Sequence, residues 1–279
     1  MDPARLRPLG VGEILDVAIK VYRARFADLV KAVAVAVAPI FVLGALIQLS
    51  VSSEETATAP GEATSIDAGD LWAFVAGVFL VAVLGIVASQ LASAASFRIV
   101  SGTYLDEHPG WRESLRFAVS KLRSLLWLSV VLGFFLVLAF IALLIPGFYL
   151  AVAWTVATPV LLFEGVRGRR ALARSRALVR GRWWATLAVI FLSTVFSAVV
   201  QGMFAALFLA ALRDGGSDAA VALANAAANI AGSVITTPFA AAVIAVVYFD
   251  LRVRKEGFDL ELLTRRVGVE PGEDRPPDA

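Results

Sequence analysis

No cysteine occurs in this chain, and there is one histidine, His108. The first absence excludes disulfides, thiolate catalysis and cysteine-ligated metals. The second removes His-rich metal centres and most histidine-based triads. Charge is scarce as well: 17% of residues are charged, where a soluble domain has about a quarter. No G-x-x-x-x-G-K-[ST] loop is present, and the glycines are scattered through apolar stretches.

What the chain has in excess is apolar length. Hydrophobic residues make up 59% of it, and the mean hydropathy is +0.80. Uncharged runs fall near Ala32–Val51, Leu71–Phe97, Leu125–Ile145, Phe148–Phe163, Ala185–Leu212 and Ala219–Phe249. A helical crossing takes about twenty residues at a rise of about 1.5 Å each. In lipid only helices and closed barrels satisfy their own backbone, and these runs are too long and too apolar for barrel strands. The fold class expected is therefore all-α: a polytopic membrane protein with six transmembrane helices, forming one membrane domain over residues 1–266. Residues 267–279, "VGVEPGEDRPPDA", have the composition of a disordered segment.

The third and fourth runs are separated only by Pro146 and Gly147. The stretch from Ser124 to Phe163 contains no charge, which fits two helices and a tight turn, with proline at the start of the second. A re-entrant hairpin is the alternative.

Orientation follows from arginine and lysine. Of the 25 basic residues, 24 lie in the N-terminal arm, the two even-numbered connectors and the tail; the opposite connectors hold only Arg213. Those opposite connectors carry Glu54, Glu55, Glu62, Asp67, Asp70, Asp214 and Asp218. The positive-inside rule then puts both termini in the cytoplasm, in a bacterial inner (plasma) membrane. The polar stretch 52–70, with Pro60 and Gly61, reads as a flexible external loop. A cleaved signal peptide is not expected, because a patterned segment precedes the first apolar run.

The basic segments are patterned at helical spacing. "GEILDVAIKVYRARF" (12–26), "WRESLRFAVSKLRSLLW" (111–127) and "RRALARSRALVRGRWW" (169–184) each set charges opposite an apolar face and lead into a span. The chain parses as three units, each a cytoplasmic amphipathic interfacial helix plus a hairpin of crossings. These segments read either as ordinary helical linkers or as anionic-lipid contacts through Arg167, Arg169, Arg170, Arg174, Arg180 and Arg182.

No span carries a charge near its middle; Glu164 and Asp250 lie at span ends. The intramembrane polar groups are neutral. Gly85, Ser89, Ala92, Ser93 and Ser96 share one face of the second span. Asn225, Asn229, Gly232, Ser233 and Thr236 share one face of the sixth. Together with Gln90 and Gln201, Asn225 and Asn229 form a polar packing stripe or, alternatively, the lining of a solute path. Ser175 reads as a capping or packing serine, and His108, beside Asp106 and Glu107, as a surface-loop histidine rather than a metal ligand.

Several segments together resemble a bacterial family, the membrane domain of glycerophosphoryl diester phosphodiesterase. They are "RPLGVGEILD" (7–16), "IPGFYLAVAW" (145–154), "TPVLLFEG" (158–165), "RALARSRALVRGRWW" (170–184) and "TPFAAAVIAVVYFDLRVRKEGFDLELL" (237–263). In fused members of that family a separate soluble barrel performs the hydrolysis with acidic metal ligands and histidines. This chain has no counterpart of the barrel, so the resemblance implies the membrane part alone and carries over no functional residues.

The function expected is a non-catalytic anchor or interaction module. It needs no cofactor, has membrane lipids and other membrane or envelope proteins as partners, and does not bind nucleic acid. The alternative is a transporter or channel for a small neutral or lipid-like solute. A part in glycerophosphodiester metabolism stands behind both.

Overall fold

Long uncharged runs have to satisfy every backbone donor and acceptor within the chain, and here they do so as helices. The computed structural model describes residues 9–55, 68–104, 107–212 and 217–256, and among these there is no strand. The tail 267–279, residues 257–263 of the last signature, and the middle of the 52–70 loop lie outside the described residues.

Helix α1 (Val11–Ala24) breaks at Arg25 and continues as α2 (Phe26–Glu55), which pairs with α3 (Ala68–Tyr104). Both α2 and α3 run past their uncharged segments, so the connector between them is shorter than the polar stretch 52–70. Next come α4 (Trp111–Ala142), α5 (Leu144–Ala153), the single turn α6 (Ala157–Pro159) with a π-helical turn at Val160–Glu164, and α7 (Arg169–Val179). The chain closes with α8 (Trp183–Ala210) and α9 (Asp218–Glu256).

Among the described residues five helices are long and apolar enough to cross a membrane: α2, α3, α4, α8 and α9. The remaining uncharged run is the pair Leu144–Ala153 and Ala157–Glu164, bent by 43°. The α4–α5 break falls at Leu143, whose extended backbone (φ −164°, ψ 139°) interrupts the helix. It does not fall at Pro146–Gly147. Pro146 sits in the first turn of α5, where a missing N–H costs little. Gly147 is needed for packing, because a Cβ there would lie 2.6 Å from the Phe140 ring. The middle basic segment, residues 111–127, is not a separate surface helix; it is the first half of a continuous α4.

The second arm of the α4–α5 hairpin packs against the start of α8. Trp183, the first residue of α8, stacks on Tyr149 with ring centroids 5.7 Å apart, and its indole N–H donates to the Tyr149 carbonyl at 3.2 Å. Tyr149 is six residues past Leu143, so the hairpin tip lies within about 20 Å of Trp183. Residues at the tip are strongly exposed, including Leu144 at 74% and Ile145 at 82%.

Helix α9 is the hub. It packs against α1, α2, α3, α7 and α8, and its small residues permit this. Ala241, Ala242 and Ala245 are buried, as are Val246, Tyr248 and Leu251. Pro39 and Pro238 lie inside unbroken helices. The proline ring at 238 removes a donor from its turn, and the Tyr22 hydroxyl donates to the nearby Ile235 carbonyl at 3.2 Å.

Candidate functional site

The basic segments, scattered through 250 residues of sequence, meet at one end of the bundle. Arg25, at the α1–α2 break, donates to the Pro109 carbonyl at 2.6 Å and pairs with Asp28 at 3.1 Å. Arg98 pairs with Glu107 at 2.7 Å and reaches Glu113 at 3.6 Å. These contacts tie the first basic segment to the second. The third and fourth are joined by a denser set centred on the end of α9.

Asp250 begins that set. Its side chain is 2% exposed, and it accepts the Leu9 N–H at 2.7 Å and the Arg254 Nε–H at 3.0 Å. Arg254 in turn donates through Nη2 to the Leu9 carbonyl at 2.7 Å, and Arg182 adds a longer bond of 3.4 Å to the same oxygen. One ion pair thus reads both backbone groups of Leu9. The i,i+4 spacing of Asp250 and Arg254 suggests a solvated surface pair; it is instead a buried staple that holds the N-terminal segment to the last helix.

Glu164 organises a second clasp. The π-helical turn ends at Gly165, in the left-handed region (φ +69°), and leaves Glu164 facing α7 and α9. Its carboxylate accepts from Arg174 Nε at 2.7 Å and from the Tyr248 hydroxyl at 3.1 Å. Arg174 also pairs with Glu256, which pairs with Arg252 at 3.0 Å. The Glu164 hydrogen bond raises the Arg174 guanidinium further above its ordinary value, and Glu256 adds to it. Lys255 donates to the Ala177 and Arg180 carbonyls, which are orphaned at the C-terminus of α7. Ser175 is fully buried and donates to the Ala153 carbonyl at 2.8 Å, satisfying the last residue of α5. Ser175 is a packing serine by these contacts. Helix α7 is thereby fixed along its length by α5, the π turn and α9.

The six arginines of interest divide into two groups. Arg174 is held by Glu164 and Glu256, Arg182 reaches Leu9, and Arg180 offers its carbonyl to Lys255. Arg167, Arg169 and Arg170 are exposed and line a groove of about 710 Å³ with Trp127 and the Gly165–Gly168 turn. Among the described residues no carboxylate pairs with these three. The Arg169 guanidinium lies over the Phe135 ring, 5.1 Å from its centroid. Gly168 adopts φ +57°, and a Cβ there would come 3.1 Å from the Trp127 Nε1, so glycine lets the indole lie against the turn.

The neutral polar residues do not converge. Gln90 on α3 donates to the Ser129 hydroxyl on α4. Gln201 on α8 fills the space over Gly232 on α9, where a Cβ would overlap its amide. Asn229 donates to the carbonyl of Asn225 in its own helix at 2.8 Å. Ala92 on α3 packs with Val33, Val37 and Val234, and Ser96 turns back to the Ala92 carbonyl at 2.8 Å. His108 is exposed in the α3–α4 connector.

A family model covers residues 115–275, more than half of the chain, under the description Domain of unknown function (DUF8558). The chain belongs to this family. No curated protein and no solved structure matches it. The DUF8558 region starts within α4 and takes in the hairpin, the groove, α7 and the hub helix α9. Both clasp carboxylates, Glu164 and Asp250, fall inside it, whereas α1, α2 and α3 precede it. Sequence periodicity did not point to the clasp, because its pairs are 75 to 245 residues apart where they join α9 to the remainder. The signal that was present is the sudden density of charge after Phe249.

Proposed function

We propose that this chain is a non-catalytic multi-pass protein of the bacterial inner membrane, with both termini cytoplasmic, acting as an anchor or interaction module through its basic end. One observation carries the reading. The carboxylates bordering the apolar segments, Glu164 and Asp250, are both committed to contacts that fasten elements together. Such a cap is a pre-assembled surface, suited to holding a partner without reorganisation. Resemblance to the membrane domain of glycerophosphoryl diester phosphodiesterase supports the same reading, since that domain is the part of its family that lacks the hydrolytic site.

In this reading α2, α3, α8 and α9 cross the membrane. The α4–α5 hairpin enters the membrane from the cytoplasmic side and returns to it. Basic segments stay on one side whether the hairpin dips or crosses. The polar residues of α8 and α9 serve packing, as the close fit of Gln201 over Gly232 suggests.

The test is flux from liposomes containing the purified chain. The expected result is leakage of small neutral solutes and exchange of lipid no faster than in empty vesicles. Saturable flux that disappears in Asn225→Ala plus Asn229→Ala would overturn the anchor reading in favour of transport.

A further inference from the structure

We infer that the groove between Trp127 and the Gly165–Arg170 segment binds the headgroup of an anionic glycerophospholipid. The inference rests on the proposed placement of the basic end at the inner leaflet and adds a ligand to it.

Charge is the first argument. Three guanidinium groups within four residues repel one another, and the carboxylate nearest in sequence, Glu164, is taken by Arg174 and Tyr248. An anion entering the groove would offset that repulsion and accept hydrogen bonds in the forked geometry that suits phosphate oxygens. Arg169 keeps this capacity while lying on Phe135, because a cation–π contact uses the face of the guanidinium and leaves its N–H edge available.

The second argument distinguishes a lipid from a free anion. Trp127, at the groove, is 61% exposed and begins a stripe on α4 at helical spacing: Val130, Phe134, Val137 and Ile141, each at least 57% exposed. These side chains continue from the cationic groove toward the hairpin tip. A ligand matching both parts has a phosphate at one end and acyl chains at the other. Inorganic phosphate would use only the first.

The full chain, purified in a non-ionic detergent, is incubated with equimolar dioleoyl-phosphatidylglycerol and dioleoyl-phosphatidylcholine, and retained lipid is counted by native mass spectrometry. The wild-type chain should keep the anionic lipid in preference. Each arginine-to-glutamine change at Arg167, Arg169 or Arg170 should cut that preference about fivefold. The triple variant should bind both lipids alike, and Arg176→Gln, on α7 but off the groove, should keep the wild-type ratio. If the triple variant does not fold, the single Arg167→Gln change decides. An unchanged ratio in folded variants, parity in the wild type, or displacement of the lipid by millimolar inorganic phosphate overturns the inference. None of these results bears on solute flux, so a lost lipid preference leaves the anchor reading standing. Conversely, observed flux sinks that reading and leaves the lipid preference intact.

Discussion

At the scale of single residues, Asp250 illustrates how position changes the worth of an ion pair. An exposed i,i+4 pair contributes only tenths of a kcal/mol. Asp250 is buried, however, and accepts two donors from different parts of the chain. Removing its charge strands Arg254 and weakens the hold on Leu9. The expected cost of Asp250→Asn is about 2–3 kcal/mol, since breaking a buried pair leaves its partner unsatisfied. Thermal unfolding in detergent, followed by size-exclusion chromatography, should show a clearly lowered midpoint. An unchanged midpoint would mean that the staple at Leu9 carries no weight. Glycine at 147 and 168 has a comparable local role: at each the missing side chain lets an aromatic ring approach the backbone.

At the scale of elements, α7 is a short helix of 11 residues that would not persist alone in water. It is kept by Ser175 against α5, by Glu164 and Glu256 on Arg174, and by Lys255 at its C-terminus. Glu164→Gln removes the charge at the centre of this set. Local opening should then rise roughly five- to thirtyfold, the factor that 1–2 kcal/mol commands. Limited trypsin digestion at Arg167–Arg170 reads this directly; equal cleavage rates in variant and wild type would contradict the clasp. The long helices were legible in the sequence because lipid permits few alternatives, and the uncharged runs mark them; α1 and α7 were marked instead by charge at helical spacing. Their joints were less so. Hydropathy could not place the α4–α5 break at Leu143, because the stretch is apolar on both sides, and Pro146 is compatible with the turn or with the first turn of a helix. Nor could it show that the second arm of the hairpin packs on the start of α8 through the Trp183–Tyr149 stack, a contact between residues 34 apart. Of the six arginines suggested by sequence, spacing could not separate Arg174, held by Glu164 and Glu256, from those lining the groove, since its partners come from the π turn and from the end of α9.

At the scale of the whole molecule, the basic segments of the chain become one surface organised around α9. Arg25 joins the first segment to the second, and Asp250, Arg254, Lys255 and Glu256 join the last to α1 and α7. Clustering of basic charge at one end is the arrangement that an anionic inner leaflet favours, and the groove lies at that end. Because the natural sequence has no cysteine, single cysteines introduced by Ser217→Cys, Arg176→Cys and Leu143→Cys give an unambiguous reading of this arrangement. The account predicts that a membrane-impermeant maleimide labels the Ser217→Cys chain in intact spheroplasts and the Arg176→Cys chain only in inverted vesicles. The Leu143→Cys chain should be labelled from neither side. Labelling of Arg176→Cys from outside would contradict the account at its centre, and labelling of Leu143→Cys from outside would show that the hairpin crosses.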